Sequence, residues 1–430
     1  MKTKLNDFIR ENSSFLNIFF ILLGFLVSFF LFFVRPVFLN SNKVMLFPEY
    51  VPINDPIGLD LNYMLDYCTS WFTNHSTPYV GLNLYPPLAM ILFKPLLLVD
   101  RWPAFEIVAT LTLLAYTLTA LIIPALIVFP RKDISIIALF FVLGLFSYGF
   151  YFELEKGQFN LITFFFCSLG IYLFHHKPQY RYLSYILLTI SIQLKVYPAI
   201  FLLMMIDDWV DWKTNLKRFF ALATFNFLLL FVGGYSIFQD FIKAIQRQII
   251  NPNMAITNHS VKVFTQLLFR KIGLQEYFLG AGLSQNQIRS LVGYSWIIEI
   301  AIMGVIFLCL LAILVKSYRL KLPGLNAYTF LACTIGMLVI PAVSNDYKLP
   351  LLTVPMAMLM LQPLQITGNI PKTILVNIIK FSITLAYMTT LFSYTNKPLF
   401  MQNNLPALLF ILLALTIMVI LEKPTSNVFN

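Results

Sequence analysis

Charge is scarce in this chain. Aspartate, glutamate, lysine and arginine together make up 11% of its 430 residues, where a soluble domain carries about a quarter. The shortage runs from end to end, which excludes a water-soluble globule held by one anchor. Strand-like alternation is missing as well, so the apolar runs are not the staves of a barrel. Cysteine is limited to Cys68, Cys167, Cys309 and Cys333, with no C-x-x-C pair, and three of the four sit in apolar runs. They read as small buried hydrophobes. The adjacent His175-His176 has no third ligand near it in sequence, which argues against a zinc site. No basic block interleaves with aromatics, so a net charge of +11 does not point to nucleic acid.

What the chain has is hydrophobicity: 59% of residues are apolar, with a mean hydropathy of +0.79. The apolar runs are each near the 20 or so residues that a hydrocarbon layer of about 30 Å demands. In lipid, long continuous runs must satisfy their own backbone as helices. The expected fold is therefore an all-α polytopic membrane protein. Its first run, 16–34, ends at Arg35-Pro36 without a small-residue cleavage signature, and reads as a retained anchor rather than a signal peptide.

Many basic residues fall in short gaps between the runs, where the positive-inside rule puts cytoplasmic loops. Those gaps are the N-terminus, Arg131-Lys132, His175 to Arg181, Lys213 to Arg218, Lys316 to Lys321, the stretch around Lys372 and the C-terminus. Alternation between them gives about twelve crossings. We place them at 16–34, 104–129, 134–151, 159–175, 182–194, 197–208, 215–235, 291–315, 325–343, 349–364, 373–393 and 404–421. Both termini are then cytoplasmic, in a multi-pass protein of the inner cell membrane. Pro198 breaks the chain between the fifth and sixth spans. Pro86 to Asp100 is apolar but short, and is assigned as re-entrant or interfacial. The chain reads as one membrane domain, 1–430, with two long extracytoplasmic loops, 35–85 and 236–290. Both contain enough aromatic and aliphatic residues to form helices lying on the membrane surface.

Ionisable groups near lipid depth cost about 2.5–3.5 kcal/mol on insertion scales, so each marks a candidate site. Alternation gathers a set on the extracytoplasmic side. It holds Asp55, Asp60 and Asp66, then Glu153 to Asn160, Lys195, the stretch Asn258-His259-Ser260 with Lys262, Arg270 and Lys271, and Asn345 to Lys348. Ordinary readings stand beside these. Asp60 can cap a surface helix starting at Leu61, Lys195 can snorkel from a helix end, and Glu155-Lys156 can pair at a helix terminus. Asn74-His-Ser and Asn258-His-Ser also match the glycosylation sequon, a pattern too short to use alone. Topology by itself separates neither enzyme from transporter.

Several of these stretches, taken in order, resemble glycosyltransferase family 87, which uses polyprenol-phosphate sugars and includes the mycobacterial mannosyltransferase of phosphatidylinositol-mannoside synthesis. Tyr85-Pro86-Pro87-Leu88, continuing to Phe93-Lys94-Pro95-Leu96, is similar to the family's Y-P-P-L…F-x-P-L run. Asp60-Leu61-Asn62-Tyr63 resembles its D-x-x-Y, with Pro78-Tyr79 between the two. Gly157-Gln158-Phe159-Asn160 resembles G-Q-x-N, and Lys195-Val196-Tyr197-Pro198 resembles K-x-x-P. Asn258-His259-Ser260-Val261 with Arg270 resembles N-x-S-L…R, with histidine where glutamine is commoner. Asp346-Tyr347-Lys348 stands where members carry an aromatic or histidine stretch.

The resemblance implies a GT-C-type fold and an inverting transfer of one sugar from a polyprenyl phosphate to a lipid or glycan hydroxyl in cell-envelope biosynthesis. By its match, Asp60 is the expected general base, with Asp66 second and Asp55 third. Lys195, Arg270, His259 and Ser260 are expected on the donor phosphate, since cations stabilise charge developing on a leaving group. Gln158, Asn160, Asn258, Tyr85, Tyr347 and Lys348 are expected around the sugar or acceptor. No metal or cofactor is required, and a monomer in membrane lipid is expected. Two alternatives use the same features: a polymerase or ligase of lipid-linked glycans, and a secondary transporter or flippase for lipid-linked sugars.

Overall fold

The computed structural model describes residues 57–128, 134–278, 283–320, 322, 325–362, 370–392 and 399–422, together with Leu23 and Leu26. Apart from those two leucines, the first expected crossing lies outside the described residues, as do Asp55 and Arg131-Lys132. Regular structure among the described residues is helical, and the one pairing of extended backbone is an isolated bridge between Asn258 and Asn345.

Helix α1 (Leu59–Phe72) leads through Pro86 to α2 (Pro87–Phe93), which tightens into a 3-10 turn over Lys94–Leu98. At about 1.5–2.0 Å per residue this short unit cannot span the hydrocarbon layer. Helix α3 (Arg101–Thr117) continues through a π turn into α4 (Ile123–Val128). Next come α5 (Ile134–Leu145), α6 (Tyr148–Lys156), α7 (Asn160–His176) and α8 (Arg181–Leu194). A 3-10 helix, Tyr197–Met204, follows the proline break.

Two helical stretches are individually long and apolar enough to cross a membrane, Arg101–Ile127 and Gln285–Arg319. The pair α5–α6 makes a third if it is taken as one bent span. The expected straight run 134–151 is in fact broken by 54°. Ser147 causes the break: its hydroxyl donates back to Gly144 O at 2.7 Å and caps α6 by accepting from Phe150 N at 3.3 Å. The expected crossing 197–208 is also corrected. It is an eight-residue 3-10 helix reaching only about 16 Å.

The second long loop is largely helical. It carries α10 (Tyr235–Ile250), α11 (Val261–Phe278) and α12 (Gln285–Gly293), after α9 (Trp212–Leu229). Helix α10 is amphipathic, burying Ile237, Phe241, Ala244 and Gln248 on one face. Arg247 on the same helix donates to Tyr79 O at 2.8 Å, tying this segment to the first loop.

The bundle closes with α13 (Ser295–Arg319), α14 (Ala327–Val339), a 3-10 helix at Asp346–Leu352, α15 (Thr353–Leu361), α16 (Ile370–Thr389), α17 (Leu399–Gln402) and α18 (Leu405–Leu421). Helix α14 is the axis of the core, with every residue buried. Phe330 on it stacks on Phe164 of α7 at 5.8 Å, and Phe201 sets its edge against both rings. Helices packed in lipid gain little from excluding water, so close approach and polar contacts must hold them. Gly170 of α7 supplies the approach, since a methyl there would meet Ser184 O of α8 at 3.0 Å. Ser191 supplies the polar contact, donating to Thr163 O at 2.8 Å. Asp207, in the loop before α9, bridges Arg181 and Arg218 at 2.9 and 3.0 Å. Both guanidinium groups also sit on the ring of Phe174.

One turn positions the site. Helix α6 ends in a Schellman motif: Gly157 is left-handed at φ 64, Gly157 N donates to Leu154 O and Gln158 N donates to Glu153 O, both at 3.0 Å. A methyl on Gly157 would lie 2.8 Å from Leu61 Cβ and 3.3 Å from Gly58 Cα. Gly58, also left-handed at φ 78, donates to Glu155 O at 2.7 Å, so two glycines let α1 sit directly on this turn. We predict that Gly157→Ala lowers stability by about 2–3 kcal/mol through strain and overpacking. Gly304→Ala, where an added methyl meets nothing within 4 Å, is expected to be neutral or slightly stabilising. Thermal unfolding of the two variants in one detergent checks both expectations.

Candidate active site

The Schellman turn delivers Gln158 between a carboxylate and an ammonium. Gln158 Nε2 donates to Asp60 Oδ2 at 2.5 Å, and Gln158 Oε1 accepts from Lys195 Nζ at 2.6 Å. An amide suits this place because its two ends have opposite character. Asp60, in the first turn of α1, is half-buried, and among the described residues its Oδ1 has no hydrogen-bond partner. Lys195 is buried at the proline break after α8. Its Nζ lies 4.5 Å from the ring centre of Phe159 and 5.1 Å from that of Tyr85. Two π faces thus replace part of the water shell that burial removes.

Behind this chain lies a second polar layer. Asn160 Nδ2 donates to Glu153 Oε2 at 2.6 Å, and Leu161 N donates to Glu153 Oε1 at 3.1 Å. Glu153 therefore sits on the N-terminus of α7, where the helix dipole favours an anion. Tyr197 donates to Asn160 Oδ1 at 2.6 Å, and the ring of Tyr197 carries Lys348 Nζ 4.5 Å from its centre. Lys348 donates to Val343 O at 2.8 Å. Tyr347 packs edge-on against Phe152 and accepts from Asn345 Nδ2 at 3.3 Å.

The Asn258–Ser260 stretch is fully buried and acts as a clasp. Asn258 Oδ1 accepts from Ser260 N at 3.1 Å and from Ser344 N at 3.0 Å. Ser260 caps α11, accepting from Val263 N at 3.3 Å, and donates to Ala342 O at 3.2 Å. His259 Nδ1 meets Asp346 Oδ1 at 2.9 Å, and its Nε2 meets Ser344 Oγ at 3.2 Å. Burial pulls His259 below the ordinary histidine pKa, and the hydrogen bond and charge of Asp346 only partly offset this.

The structure brings together Asp60, Tyr85, Gln158, Asn160, Lys195, Tyr347 and Lys348. It places Asn258, His259 and Ser260 one layer behind, against the loop that carries Lys348. Two expected residues stand apart. Asp66 is exposed and paired with Arg101. Arg270 is exposed ten residues along α11 from Ser260, about 15 Å away at helical rise. Sequence reasoning missed Asn403 and Asn404. Asn403 Nδ2 donates to Ile256 O and Asn258 O, both at 2.9 Å, and Asn404 Nδ2 donates to Asp346 Oδ1 at 2.9 Å. Their signal was a polar pair at the mouth of an apolar run.

Fold and site together define a helical membrane protein with a polar, two-layered site assembled from distant segments. The family model of glycosyltransferase family 87 matches residues 83–341, more than half of the chain. The chain belongs to that family and is a membrane glycosyltransferase. Neither a curated protein nor a solved structure matches it. Asp60 precedes the matched stretch, and Tyr347 and Lys348 follow it. Their place in the site comes from the fold.

Removing the acceptor shared by His259 and Asn404 leaves two buried donors orphaned. Asp346→Ala is expected to cost about 3 kcal/mol, while Asp346→Asn, which keeps an oxygen, costs less. Thermal unfolding in detergent ranks the two variants.

Proposed function

We propose that the protein moves a single sugar from a polyprenyl-phosphate-linked donor to a hydroxyl of a lipid or glycan acceptor, with inversion at the anomeric carbon. The reaction takes place on the extracytoplasmic face of the inner membrane. In this reading residues 1–430 form one GT-C-type multi-pass membrane domain, with loop 35–85, which leads to Asp60, outside. The protein works as a monomer, without metal, cofactor or nucleic acid.

The observation that carries the reading is the chain Lys195–Gln158–Asp60, which holds an ammonium and a carboxylate at opposite ends of one amide. Asp60 takes the acceptor's hydroxyl proton at Oδ1 as the acceptor oxygen bonds to the anomeric carbon. The bond from that carbon to the phosphate oxygen breaks, and its electron pair stays with the phosphate. Lys195 meets the charge that appears there. Gln158 holds Asp60 in one orientation, and Tyr85 and Asn160 border the space where the sugar lies. Apolar helix faces beyond the site accommodate the polyprenyl tail.

Asp60→Asn keeps the shape of the side chain and removes the base. Its turnover with a defined polyprenyl-phosphate sugar is expected to fall by about 10²–10⁴-fold, with yield and thermal unfolding unchanged. Full turnover by this variant would remove Asp60 from the role.

A further inference from the structure

Residues 77–86 form neither helix nor strand, so their backbone groups need other partners. Asn83, fully buried, serves two of them: its Nδ2 donates to Pro78 O at 2.9 Å and its Oδ1 accepts from Tyr85 N at 3.0 Å. Tyr79 serves a third, its hydroxyl donating to Tyr85 O at 3.0 Å. Both backbone groups of Tyr85 are thereby held, and Pro86 after it favours extended backbone at Tyr85. This loop therefore aims the Tyr85 ring, whose centre lies 5.1 Å from Lys195 Nζ and 5.2 Å from that of Phe159.

The loop is in turn held by α10. Arg247 Nη2 donates to Tyr79 O at 2.8 Å, and the ring of Phe241 packs on that of Tyr79 at 5.5 Å. Among the described residues no carboxylate pairs with Arg247; Asp240, on the same helix, pairs with Lys243. A charged donor holds a carbonyl more strongly than a neutral one. One tyrosine thus connects α10 to the face over Lys195: its carbonyl receives Arg247, and its hydroxyl grips Tyr85.

Resting on the reading above that Lys195 meets the donor phosphate, we propose that Arg247 is a positioning residue, which holds Tyr85 against Lys195 through Tyr79 and so tightens binding of the polyprenyl phosphate. Together with Gln158, the faces of Tyr85 and Phe159 locate the buried ammonium. With Tyr79 O released, the loop relaxes and Tyr85 moves off the ammonium. Lys195 is then spread over more positions than the one that meets the phosphate oxygen. The second long loop acts on donor binding by way of the first.

Full-length protein in nanodiscs, titrated with farnesyl phosphate, tests this. Arg247→Ala is expected to weaken binding on the order of fivefold. Tyr79→Phe, which keeps the ring on Phe241 and removes the hydroxyl from Tyr85 O, should do much the same. Arg247→Lys keeps a charged donor and should stay near wild type. The decisive comparison is made in a Tyr85→Leu background, where Arg247→Ala should weaken binding no further. An undiminished loss in that background overturns the proposal, and so does wild-type affinity in Arg247→Ala; both leave the donor class standing. Wild-type protein that fails to bind the probe defeats the donor class, and this role of Arg247 with it. Should Tyr85→Leu not accumulate, Arg247→Ala combined with Tyr79→Phe replaces it. A shared route gives a loss smaller than the product of the two single losses, and a full product counts against it.

Discussion

The candidate site depends on the chain turning sharply between α6 and α7 without a side chain at the turn. A left-handed residue at 157 closes the Schellman motif, and the absence of a Cβ atom at 157 lets α1 rest on it, while the missing Cβ at 58 leaves room for the ring of Phe105. From that single contact Asp60 comes within hydrogen-bonding reach of Gln158. Glu153, one turn earlier on α6, faces the first residues of α7. The bend at Ser147 aims α6 toward the later 3-10 helix, where Gly149 meets Asp346 O closely. Two early elements and one late one converge because three positions tolerate nothing larger than glycine.

Much of this was legible in the sequence, and the reason is chemical. Polar residues in an apolar chain are few, so Gln158, Asn160, Lys195 and Lys348 could be collected by side of the membrane alone. Asp60 was gathered the same way; family motifs singled it out as the base and added Tyr85. What sequence could not supply was distance. Arg270 follows Ser260 in the same motif, but a helix carries it away from the site at about 1.5 Å per residue. Asp66 lies close to Asp60 in sequence but belongs to an exposed face of α1, where Arg101 claims it. Asn403 and Asn404 went unnoticed because amides beside a crossing look like an ordinary interfacial cap.

The helix inventory was less legible than the membrane character. A hydropathy pattern counts apolar residues but is blind to a hydroxyl that redirects the backbone, as Ser147 does. It also reads the stretch after Pro198 as a span, although a 3-10 helix of eight residues fills it. Helix α14 shows the opposite effect. Its sequence resembles a lipid-facing crossing, yet it is covered on all sides by protein.

Gln158 gives the site a polarity of its own. Its carbonyl end must face a donor and its amino end an acceptor, so the amide records which neighbour is basic and which is acidic. Turning that one side chain over would suit an enzyme with the lysine and aspartate exchanged, with no backbone movement. The handedness of the site is thus written in a neutral residue, and a carboxylate or an aliphatic chain at 158 would erase it even if both charged groups stayed in place.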